Sequence, residues 1–136
     1  MATVIELPEG DVSDLLPLLD GATYVNLHPG VAAEPAPTSS PLGAMFGARG
    51  PAVPLATWTP GEIGLLHGTG PRLVRRLAQL GHPVPDHWYV VQDHPKRGLV
   101  VRTYDTDPRV VLGWLVRAAE LVCPLEVVRA WRAEVT

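Results

Sequence analysis

The chain has 136 residues, and only 18% of them are charged. It carries a single cysteine, a single lysine and a single phenylalanine. With Cys123 alone, neither an intramolecular disulfide nor a multi-cysteine zinc site can form. No apolar run approaches the roughly 18 residues that a membrane helix needs. The segment MATVIELPEGD lacks a basic stretch and turns acidic at once, so no signal peptide is expected. These absences predict a cytoplasmic protein with no membrane partner. Catalytic strings are missing too. No E-x-x-H, H-x-E or H-E-x-x-H run occurs, and Ser13, Ser39 and Ser40 lack a nucleophile-elbow context. Neither phosphate-binding glycine pattern is present, so no cofactor is expected.

What is present is glycine and proline, at 13 and 15 residues, beside an apolar share of 46%. The apolar share suffices for a core, and the length fits one domain spanning 1–136. Proline and glycine crowd into residues 29–58, which predicts one long irregular segment. Within it, Leu42, Met45 and Phe46 form a small apolar group, and 53–58 reads as an edge strand because Pro54 cannot donate.

Elsewhere the pattern is ordered. Residues 2–7 and 23–28 alternate as strands. Asp11 to Asp20 reads as a short helix interrupted by Pro17. Thr59-Pro60-Gly61-Glu62 has the form of a capping box, predicting a helix to His67. A second helix runs from Pro71 to Leu80 and stops at Gly81. Residues 59–81 are therefore a helix pair. A hairpin spans 86–104, with strands 88–92 and 99–104. Asp107-Pro108 opens the longest helix, about 108–122, and 126–134 closes the chain as a strand. The expected fold is α+β: one mixed or antiparallel sheet of about five to six strands, with helices mainly on one face. Without its middle, the series resembles the βαββαβ plan of ferredoxin-like folds, with the Pro/Gly-rich loop and the helix pair inserted.

Charge is uneven along this frame. The formal net charge is −3, yet residues 59–104 carry six bases and three acids. Arg72, Arg75, Arg76, Lys96 and Arg97 thus form a basic central face suited to an acidic partner, protein or nucleic acid. Trp58, at the exit of the long loop, is the aromatic side chain expected to stand exposed for contact. The leading expectation is a non-enzymatic binding or accessory module using these residues. An edge strand from the hairpin or the C-terminus could also pair two copies as a homodimer.

Residues Gly61 to Leu80 resemble the helix-turn-helix motif of DNA-binding proteins. Ile63, Gly64, Gly68, Val74 and Leu77 stand at its spacings, while His67 and Thr69 depart from its apolar slots. That resemblance implies a winged DNA binder, with Arg72, Arg75 and Arg76 facing the duplex and the hairpin 88–104 as the wing, His94, Lys96 and Arg97 at its tip. A third reading is a small metal- or histidine-dependent enzyme built on His87 or His94, each preceded by an aspartate.

Overall fold

Alternating buried and exposed side chains build one antiparallel sheet, seen in a computed structural model that describes residues 3–8, 11–31, 54–66, 72–94, 97–104, 106–123 and 127–136. The strands are β1 (Thr3–Leu7), β2 (Val25–Val31), β3 (Leu55–Thr59), β4 (Glu62–Leu66), β5 (Tyr89–His94), β6 (Gly98–Arg102) and β7 (Val127–Val135). Helix α1 is Leu73–Gln79 and helix α2 is Pro108–Val122. The seven strands run in the order β1-β7-β2-β3-β4-β6-β5. This is an α+β fold. Every pairing is antiparallel, and β1 stands at the sheet edge, paired with β7 alone, so the strand order does not follow the ferredoxin-like plan.

The extra strand relative to the sequence expectation is β4, where a helix was expected. Pro60 and Gly61 make a tight turn instead, with Gly61 at φ +80°, the proline-then-glycine arrangement of a type II turn. Thr59 and Glu62 face each other across it, and the Thr59 hydroxyl donates to the Glu62 carbonyl at 3.2 Å. The Glu62 carboxylate meets Arg102 on β6 at 3.7 Å rather than capping a helix. Ile63 and Leu65 are buried and Leu66 is exposed. A period of two therefore decides the segment, because one face of β4 has a core to join. Where the helix-turn-helix pattern expects its first helix, Glu62–Leu66 is a strand.

Two further expectations change. Residues 11–20 form turns and one 3-10 turn at Leu16–Leu18 rather than an α-helix, since Pro17 cannot donate into a helical ladder. Val12, Leu15 and Leu19 still reach the core. Strand β3 is central, between β2 and β4, not an edge. Pro54 stands just before its first residue, where the missing N–H costs the ladder nothing. The remaining expected elements, β1, β2, α1, the β5–β6 hairpin, α2 and β7, lie where the sequence pattern puts them to within a few residues.

The core fills one face of the sheet. Leu7, Val25, Leu27, Ala56, Ile63, Leu65, Val101, Trp131 and Ala133 point inward from the strands. Helix α2 covers β2, β3 and β4, helix α1 covers β5 and β6, and the two helices touch. Asp107 caps α2, its carboxylate accepting from the Arg109 N–H at 2.9 Å. Each fully buried leucine contributes about 1.5–3 kcal/mol. The opposite face, which neither described helix covers, bears Glu6, His28, Arg102, Arg132 and Glu134.

Candidate functional site

Helix α1 is amphipathic at helical spacing. Leu73 and Leu77 are buried, and Arg72, Arg75, Arg76 and Gln79 form an exposed stripe. Val74 flanks the buried pair on one side and packs against the core. Arg72 and Arg76 flank it on the other side. The helix is tied to the hairpin by Asp93 of β5. Its carboxylate accepts from the N–H groups of Leu73 at 2.8 Å and Val74 at 3.2 Å, which satisfies the exposed donors of the first turn. No side chain of α1 itself provides a cap.

This link carries the hairpin tip to the start of α1. Arg97 is exposed at that tip, and its N–H donates to His94 Nδ1 at 3.1 Å. Gln92 Nε2 donates to the Arg97 and Gly98 carbonyls and closes the tip. Gly98 sits at φ +88°, and a Cβ there would come within 2.6 Å of the Leu65 carbonyl oxygen. Thus Arg72, Arg75, Arg76 and Arg97, four of the five basic residues singled out from sequence, stand on two elements joined at one end. Lys96 lies outside the described residues.

Among the described residues, none of these four arginines makes an ion pair. The ion pairs that form lie elsewhere: Arg102 with Glu62 at 3.7 Å, Arg117 with Glu120 at 3.4 Å, and Arg132 with Glu134 at 3.7 Å. His28 Nε2 stands 3.5 Å from the same Glu134 oxygen, without the alignment of a hydrogen bond. One described carboxyl, remote in sequence from these arginines, titrates away from its ordinary value. The Ser13 hydroxyl, and then its N–H, hold the Asp11 carboxyl below its ordinary value.

The other candidates fare differently. Trp58 is buried, at 6% exposure, because it alternates inward on β3 with Ala56. It forms the floor of a groove rather than a free contact. His87 is exposed, in an edge contact with Trp88, and His94 ends β5. His87 lies in the turn before β5, and His94 is the strand's last residue. Among the described residues, no group of three or more His, Cys, Asp or Glu side chains comes together. The C-terminal strand β7 lies between β1 and β2 over Trp131–Val135, and the hairpin strand β5 is an edge of the sheet.

The groove was not foreseen. It consists of two adjoining hollows of about 780 and 670 Å³ that share Trp58, Pro60 and Pro108. Leu16, Leu19 and Ala22 wall the larger, with Asp20, Asp107 and Arg109 at its margins. Thr103, Tyr104 and Thr106 wall the smaller. Tyr104 is exposed and takes φ +54°, a conformation uncommon outside glycine. Nearby, Thr106 accepts from Trp88 Nε1 at 2.9 Å and donates to the Thr103 carbonyl at 2.7 Å. Pro60 and Pro108 read in sequence as helix starts, and nothing in their spacing signals a shared hollow.

No family model, no curated protein and no solved structure matches the chain.

Proposed function

We propose that the chain is a binding module that holds an acidic segment of a protein partner against α1 and the tip of the β5–β6 hairpin. One observation carries this reading. Arg72, Arg75, Arg76 and Arg97 are exposed, have no ion pair among the described residues, and lie on elements joined through Asp93. Four guanidinium groups without an ion pair among the described residues favour an anionic surface, and each can grip a carboxylate in a two-point contact. A protein partner is favoured over nucleic acid, because a chain of net charge −3 repels a polyanion as a whole while a local patch attracts a short acidic stretch. The test is fluorescence anisotropy of labelled polyglutamate and of labelled duplex DNA at low salt. Binding of polyglutamate that weakens as salt rises, with DNA bound less tightly, supports the reading. DNA bound as tightly or more tightly contradicts it.

A second reading rests on the groove above Trp58. Its volume of about 780 Å³ lies in the range of small-molecule sites, and its walls are mainly apolar. On this reading the groove takes a small apolar molecule. Binding of anilinonaphthalene sulfonate that is lost in Ala22→Trp supports it, and binding unchanged by that substitution contradicts it.

A further inference from the structure

We infer, resting on the acidic-partner reading above, that the partner docks as an extended segment of alternating acidic and apolar residues, added as a strand along the free edge of β5. Among the described strands, β5 pairs with β6 alone and ends the sheet. One row of its backbone N–H and C=O groups therefore faces no strand, and such an edge is a template for another chain. Tyr89, at 57% exposure, and Val91, at 44%, stand open along this edge.

The helix layer supplies the charge. Helix α1 covers β5 and β6, the strands at this end of the sheet. Val74 packs against the core, and at helical spacing Arg76 falls on the other side of the buried Leu73–Leu77 pair, with Arg72 exposed just before the helix. Side chains of a strand alternate between faces. A strand laid beside β5 would thus send every second residue up toward Arg72 and Arg76. The others would go down to the outer face, beside Tyr89. The Leu73 and Val74 N–H groups hold the Asp93 carboxylate at the start of the helix. A bulge between Val90 and Gln92 divides the edge into two short runs, so the docked segment is no longer than β5 itself.

The experiment compares two labelled peptides of identical composition with the full chain. One alternates Glu and Val, and the other places all its Glu before all its Val. Anisotropy gives their affinities, and hydrogen exchange reads the amides of Tyr89–His94. The alternating peptide is expected to bind at least about tenfold more tightly, since strand addition brings several backbone hydrogen bonds of about 0.5–1.5 kcal/mol each. It is also expected to slow exchange across Tyr89–His94. Equal binding of both peptides, weakened by Arg72→Glu with Arg76→Glu and without protection of β5, overturns strand addition and leaves the acidic-partner reading standing. Failure of both peptides and of polyglutamate to bind overturns the two together.

Discussion

The Asp93 carboxylate on β5 accepts the N–H of Leu73 at the start of α1, at 2.8 Å, across 20 residues of sequence. It accepts the Val74 N–H as well, at 3.2 Å. The aspartate that precedes His94 thus caps a helix on another element and fixes the arginine stripe relative to the hairpin. Removing it is expected to loosen both. Asp93→Ala should lower stability by about 1–2 kcal/mol in urea unfolding, the usual range for a lost cap. Asp93→Asn keeps one acceptor and should lose less. Unchanged unfolding in Asp93→Ala would show that the cap contributes nothing.

Gly98 and Gly21 separate backbone conformation from crowding. Both have positive φ, at +88° and +79°. Only Gly98 has an atom in the way, the Leu65 carbonyl oxygen at 2.6 Å from an added Cβ. Gly21→Ala should therefore cost about 1–2 kcal/mol, the left-handed penalty alone. Gly98→Ala should cost more, because the β4–β6 pairing must also shift. Thermal unfolding of the two variants checks the order, and equal losses would contradict it.

Trp131 is wholly buried, and its indole N–H has no hydrogen-bond partner among the described residues. An unsatisfied buried donor costs about 1–3 kcal/mol. Trp131→Phe removes that donor while keeping most of the ring. It should be far milder than Trp131→Ala, for which about 3–5 kcal/mol is expected. Comparable losses in denaturant unfolding would show that the N–H is satisfied after all.

The Asp11 carboxyl titrates below its ordinary value because Ser13 donates to it twice. A lowered folded-state value means that the stabilisation is present above the unfolded-state value and is lost as pH falls through the folded one. Carboxyl NMR titration should show Asp11 moving back up in Ser13→Ala. No movement would assign the shift to another cause.

The fold was largely legible where the pattern was redundant. For α2, Asp107-Pro108 at the start and a nearly continuous apolar surface agree, and the helix runs from Pro108 to Val122 as its sequence implies. Thr59 to Leu66 was misread because Thr-Pro-Gly-Glu satisfies two local rules at once. It fits a capping box and a type II turn, and the choice depends on whether Ile63 and Leu65 have strands beside them. Those strands, β3 and β6, come from distant sequence. The basic stripe on α1 was visible from helical spacing alone. Its attachment to the hairpin was not, since it rests on the Asp93 contact. The groove was invisible for the same reason. Trp58, Pro60 and Pro108 meet only after the sheet forms, and Trp58 lines the floor because strand alternation sends it inward.

On the reading proposed above, Arg72, Arg75 and Arg76, which make no ion pair among the described residues, form the binding face. The most direct measurement is the affinity of labelled polyglutamate for the wild-type chain and for Arg72→Glu/Arg75→Glu/Arg76→Glu, at low salt and equal fold stability. Exposed charge contacts are worth about 0.2–1 kcal/mol each, so losing three should weaken binding by about threefold to a hundredfold. The melting temperature should hold, because none of the three makes an ion pair among the described residues. Affinity equal to that of the wild type in a folded variant would contradict the account.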